Sequence, residues 1–150
     1  MARVQIDMPE KFVYSTKLEV RVGDLAGGFH LGNHEFVSYF NEVLFQFLRD
    51  TDLRRLFDRR NIFINSDLAL IYKSESNHWD MLKFDMAVTP SGSSGFDLYF
   101  RVTNERTGQE AAVAKMGMLF FDYELRKTSK VPEEFKVIFS DDFQTSGCAF

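Results

Sequence analysis

The sequence predicts an α+β fold in which a curved antiparallel sheet wraps around one long apolar helix. Three observations lead there. Residues 36–48 carry apolar side chains at helical spacing over most of the helix circumference, a stripe too wide for a helix lying on a surface. Stretches of period-two alternation precede and follow it. Short turns rich in Gly, Ser and Asn join the last three of those stretches, which makes consecutive strands antiparallel neighbours.

The first strand is expected over residues 14–22, with Tyr14, Thr16, Leu18, Val20 and Val22 on one side and Ser15, Lys17, Glu19 and Arg21 on the other. Gly27 and Gly28 supply a bend that β-branched residues would resist. Asn33 is placed to cap the helix, and Glu35 puts a negative charge in the first turn, where the dipole favours one. Phe36, Phe40, Val43, Leu44, Phe47 and Leu48 form the stripe. Val37 and Tyr39 widen it, leaving Ser38, Glu42, Phe45 and Arg49 on the far side.

Residues 52–58 read as a short second helix. Helical spacing stops after Asn61, and residues 62–73 read as a strand buried on both faces for much of its length, with Asp67 inside it. Leu82, Phe84, Met86 and Val88 alternate with Lys83, Asp85 and Ala87. The turn at 90–95 leads to Phe96, Leu98, Phe100 and Val102, and the turn NERTG to a last strand over residues 110–121. Residues 132–139 are expected to form a short helix and 140–150 a loosely held tail. The whole reads as one domain over 1–150, with its core over 14–135. A curved sheet has open edges, and pairing them across a two-fold axis predicts a homodimer, with a tetramer as the next possible assembly.

Composition narrows the function classes. Hydrophobic residues at 45% and charged residues at 27% are those of a soluble globular protein. A net charge of −4 gives no electrostatic reason for a nucleic-acid partner. No apolar run approaches the ~20 residues needed to span a bilayer, and the N-terminus lacks the apolar core of a signal peptide. The lone Cys148 permits no intrachain disulfide and no Cys metal cluster. These features favour the cytoplasm. No zinc spacing, phosphate-binding glycine loop, nucleophile elbow or dinucleotide fingerprint is present.

Residues 24–42, DLAGGFHLGNHEFVSYFNE, concentrate Asp, His, Asn and three Gly where a strand hands over to the apolar helix. This stretch and the element order resemble the hotdog-fold thioesterase superfamily around 4-hydroxybenzoyl-CoA thioesterase. Members carry an Asp-x-Asp-x-x-Gly-His-Val-Asn-Asn-like turn followed by a helix bearing a Glu. Asp24 matches the first Asp, His30 the His, Asn33 the second Asn, Phe36 the aromatic and Glu42 the helix Glu. The FHLGN turn is closest to a bacterial subset reading Gly-His-Leu-Gly-Asn. DLALIYKSES, FDLYFRV and KMGMLFFDYELRK also look like that subset. Two departures stand out. Superfamily enzymes that use a loop carboxylate as base or nucleophile place it four residues before the His, where this chain has Ala26. Plant acyl-carrier-protein thioesterases have an Asn two residues before the His, where this chain has Gly28.

Thioester hydrolysis needs a group that polarises the carbonyl and one that activates water. Backbone N–H groups of Gly32, Asn33 and His34 at the helix N-terminus suit the first role, although a glycine turn before an ordinary helix start looks the same. His30 can act as base, orient water or hold the loop. Asp24 is either catalytic or bonded to nearby backbone, and Glu42 either a base or a tie between helix and loop. Asp67 lies on a strand that, in a hotdog dimer, can approach the partner's helix N-terminus, where its carboxylate would replace the one absent at Ala26. An exposed strand position is its bland alternative. Lys73, Lys83, Arg101 and Lys115 can meet coenzyme A phosphates or simply face solvent.

The resemblance therefore implies hydrolysis of a fatty or aromatic acyl thioester, carried by coenzyme A or an acyl-carrier protein, with no cofactor beyond the coenzyme A of the substrate. A non-catalytic acyl- or protein-binding hotdog protein is the first rival, favoured by Ala26 and Gly28. A hydratase is the second, but those enzymes pair Asp and His five residues apart, whereas Asp24 and His30 are six apart.

Overall fold

The computed structural model describes residues 3–146; the last four positions, Cys148 among them, lie outside the described residues. Strand β1 (Tyr14–Glu19) leads through a 3₁₀ turn (Val22–Asp24) into the two-residue strands β2 (Leu25–Ala26) and β3 (His30–Leu31), then helix α1 (Glu35–Asp50). A 3₁₀ turn (Leu53–Leu56) precedes β4 (Ile62–Tyr72), β5 (Met81–Ser91), β6 (Gly95–Asn104) and β7 (Glu110–Asp122). Strand β8 (Lys127–Thr128), a 3₁₀ turn (Phe135–Phe139) and α2 (Asp141–Ser146) close the described chain. The main sheet runs β1-β5-β6-β7-β4, antiparallel throughout, with β8 added to β7. The curled sheet around α1 is the expected hotdog arrangement.

Helix α1 forms because its buried positions, Phe36, Tyr39, Phe40, Val43, Leu44, Phe47 and Leu48, fall on one wide face. The helix opens with Glu35 and carries Arg49 in its last turn, each of the sign its end of the dipole prefers, and the terminal Asp50 accepts from Arg49 and the Tyr14 hydroxyl. Thr51 Oγ1 donates to Phe47 O at 2.7 Å, and Asp52 turns left-handed at φ 60° to end it. The stripe packs on the sheet through rings: Phe40 stacks on Phe100 at 4.5 Å and meets Phe84 edge-on at 6.2 Å. Such pairs add about 0.5–1.5 kcal/mol beyond the area they bury.

Four expectations are corrected. Val22 is exposed, because β1 ends at Glu19 and the chain turns. The short second helix over 52–58 is a single 3₁₀ turn. Strand β4 is not buried on both faces: it lies at the sheet edge, and Asn65, Ser66, Asp67 and Leu68 are exposed. A bulge between Asn65 and Asp67 sets the latter against Gly117, where a Cβ would stand 2.5 Å from Asp67 Oδ2. The tail is not loose up to Ser146, since it forms α2 and puts the Phe143 ring 6.1 Å from Phe47.

Candidate active site

Two connections cross the same end of the sheet. Residues 20–34 leave β1 there, and residues 73–80 join the end of β4 to the start of β5. The first folds back as a tight hairpin because Gly27 and Gly28 have φ of 61° and 77°, the paired left-handed geometry of a primed turn. Backbone bonds stitch the two together. Leu31 N–H donates to Ser76 O at 2.8 Å, His30 bridges Asn77, and Trp79 N–H donates to Val20 O at 2.9 Å.

Between them, at the N-terminus of α1, lies a cavity of about 320 Å³. One wall brings His30, Leu31, Asn33 and Phe36, the other Tyr72, Lys73, Ser74, Glu75 and Ser76. Tyr72 closes the seam between β4 and α1: its hydroxyl donates to Asn33 O at 2.8 Å and its ring meets Phe36 at 5.7 Å. The Ser76 hydroxyl is buried without a hydrogen-bond partner among the described residues.

The helix N-terminus departs from expectation in its cap. His34, in helical conformation, holds the cap position instead of Asn33, and no side chain caps the turn. Gly32 N–H is already committed, to Asp24 O at 2.9 Å, and Glu35 N–H to Gly32 O. The N–H groups of Asn33 and His34 have no acceptor among the described residues. They are two unpaired donors at the positive end of a sixteen-residue helix. Gly32 is buried under the His34 ring, whose nearest carbon would lie 3.2 Å from a Cβ there, and His34 Nε2 reaches Glu35 at 3.0 Å.

Of the expected residues, the fold brings His30 and Asn33 together at the cavity. It puts the carboxylates elsewhere. Asp24 is buried behind the loop, accepting Tyr39 Oη at 2.5 Å and both the backbone N–H and guanidinium of Arg21. Burial alone would raise its carboxyl, but the hydrogen bonds from Tyr39 and Arg21 outweigh that and hold it below the usual range, while burial and Asp24 push the Tyr39 phenol up. Glu42 is exposed, accepts from Gln46 Nε2 at 3.0 Å, and borders a separate cavity with Arg21 and Tyr39. Asp67 lies at the β4 bulge. The four basic residues are paired with acids, Lys73 with Glu110, Lys83 and Arg101 with Asp85, and Lys115 with Asp97.

The second wall lies in DLALIYKSES, a stretch that entered only as a resemblance, with no role given to its residues beyond Asp67 and Lys73. Among the described residues Glu75 is the carboxylate that lines the His30 cavity. Asp80, buried below, accepts Arg106 Nε at 2.5 Å, Asn104 Nδ2 at 2.7 Å and Asn77 N–H at 2.8 Å. The Arg106 guanidinium holds its carboxyl down at about 2. No composition signal marks Ser74, Glu75 and Ser76, which matter only because the segment crosses the sheet end beside His30.

A hotdog sheet with a helix N-terminus facing a His and a pocket defines a class, and comparison with known proteins places the chain in it. The profile of the thioesterase-like superfamily matches residues 20–139, and the chain belongs to that superfamily. None of the curated protein sequences matches it significantly. Among solved structures it is similar to Slr0204, a 1,4-dihydroxy-2-naphthoyl-CoA thioesterase from Synechocystis, with TM-score 0.76 and 13% identity over 87% of this chain and 96% of that one. SAV2348 from Staphylococcus aureus, solved in complex with CoA, gives TM-score 0.76 and 14% identity over 97% and 92%. The 12:0-ACP thioesterase from Umbellularia californica gives 0.72 and 12% over 85% of this chain and 50% of that one. At these identities the likeness is one of fold.

Proposed function

We propose that the chain is an acyl-CoA thioesterase whose reacting carbonyl sits against the N-terminus of α1. The observation that carries this is the cavity lined by His30 and by Asn33, whose N–H is unpaired, at the helix start where the His34 N–H is unpaired as well. Donors fixed at a helix N-terminus are preorganised for the oxyanion that forms when water adds to a thioester carbonyl. His30 takes the proton of that water. The C–S bond then breaks, and the thiolate leaves with the proton His30 returns. Glu75 on the opposite wall is placed to orient His30 or the water, in the role left open at Ala26. Asp24 holds the loop and the helix together rather than touching substrate, and Glu42 faces away. An aromatic or fatty acyl group fits against the Phe36 and Tyr72 rings, one from each wall. Release of free thiol from a panel of acyl-CoA substrates tests this: His30→Ala is expected to lower kcat about 100-fold with folding unchanged. Equal rates in both proteins remove His30 from the chemistry, and release from no substrate defeats the enzyme reading.

The exposed edge of β4 supports a homodimer in which two β4 strands pair and continue the sheet. Asp67 of each β4 then approaches the partner's cavity, as a second carboxylate. Sedimentation at micromolar concentration is expected to give twice the chain mass. A monomer under assay conditions takes Asp67 out of the site.

A further inference from the structure

Trp79, the chain's single tryptophan, stands in a setting that hydrolysis leaves without a role. The residue is 73% exposed, and its φ of 68° is left-handed, a region bulky residues rarely adopt. The surroundings hold it there. Its N–H is tied to Val20 O on one side, and next to it Asp80 is fixed by Arg106, Asn104 and Asn77. The fold thus spends strain to keep an indole in water instead of burying it. His78 stacks on the indole at 3.9 Å and 17°, covering one face and leaving the other open.

The open face lies beside the site. Trp79 is three residues from Ser76 on the cavity wall, at most about 11 Å along the chain. The bridge between His30 and Asn77 lies between them. Arg21 follows Val20, whose carbonyl holds the Trp79 N–H, and Arg106 pairs with the adjacent Asp80; their side chains are 73% and 55% exposed.

We infer that the open indole face of Trp79 stacks on the adenine of a coenzyme A thioester whose carbonyl occupies the His30 cavity. The inference rests on the thioesterase reading. Roughly sixteen bonds separate the thioester sulfur from the ribose, which at ~1.2 Å per bond reach about 19 Å, enough to pass from the cavity to Trp79. A base offers the flat π surface that an indole already backed by an imidazole matches, and base–aromatic stacking is a recurring mode of nucleotide recognition. The same thioester on an acyl-carrier protein brings the pantetheine arm without the adenine, so the two sources separate experimentally.

Because Trp79 is the sole tryptophan, its fluorescence reports the contact without any turnover. Coenzyme A and adenosine 3′,5′-bisphosphate are expected to quench it saturably, and pantetheine is not. Trp79→Gly, which suits the left-handed backbone, is expected to raise KM for acyl-CoA about tenfold, with kcat within twofold and KM for the matching acyl-pantetheine unchanged. Quenching by pantetheine as strong as by coenzyme A, no quenching by coenzyme A, or an equal KM change for both substrates overturns the inference. Failure of wild type to hydrolyse any thioester defeats the hydrolase reading instead, while the titration still decides whether Trp79 meets adenine.

Discussion

Asp24 and Asp80 close the same small turn in two different places. In each, the aspartate N–H donates to the carbonyl three residues before it at 3.0 Å, and its carboxylate accepts the N–H of that same residue, Arg21 or Asn77. Each carboxylate is buried and each also holds a guanidinium. The difference lies in what the turn is fastened to. Asp24 takes its arginine from its own turn and reaches Tyr39 on α1, so it fastens the His30 loop to the helix. Asp80 takes Asn104 from the end of β6 and Arg106 from the β6–β7 connection, so it fastens the Glu75 wall to the sheet. A local motif thus fixes each turn, while long-range partners aim the two walls of one cavity.

The comparison is broken most severely at Asp80. Asp80→Ala leaves the fully buried Asn104 amide without its acceptor and Arg106 without its charge partner, a loss of about 3 kcal/mol. At about 2–4 °C per kcal/mol for a chain of this size, melting is expected to fall by roughly 6–12 °C. The acid limb carries the same signature. The folded pKa of Asp80, about 2, lies below the unfolded value of ~3.9. Its contribution, on the order of 2 kcal/mol, is therefore present above pH ~4 and lost as pH falls towards 2. Denaturant titrations at pH 6 and pH 2.5 check both parts: Asp80→Ala should show the smaller drop between them. Equal drops would move the acid sensitivity elsewhere.

The helix stripe, the β5–β6–β7 meander and the glycine hairpin were legible because period and turn chemistry fix them locally. The β4 environment was not. Its run of Ile, Leu and Phe fits a strand buried on both faces as well as an edge awaiting a partner, and periodicity does not separate the two. At the site, His30 and Asn33 were readable from the turn, whereas Glu75, Asp80 and Trp79 were not. SESNHWD has no spacing of its own, and it becomes a wall only because β4 and β5 lie three strands apart and their connection must cross the sheet end. Asp24 was legible as important but ambiguous in role, since a carboxylate at a strand-to-turn junction serves chemistry and anchoring equally well.

That ambiguity is what the smaller substitution sharpens. Asp24→Asn keeps an oxygen to accept from the Tyr39 hydroxyl but turns an amide towards the Arg21 donors. The Arg21 side chain is 73% exposed and regains water at little cost, so the expected loss is only about 1–2 kcal/mol. Because the anchored loop keeps its Gly32 N–H bond to Asp24 O, His30 stays in place and kcat is expected to change less than fivefold. A hundredfold fall in kcat with melting unchanged would give the opposite answer, making Asp24 a participant in the chemistry and leaving Asp80 alone as the structural one of the pair.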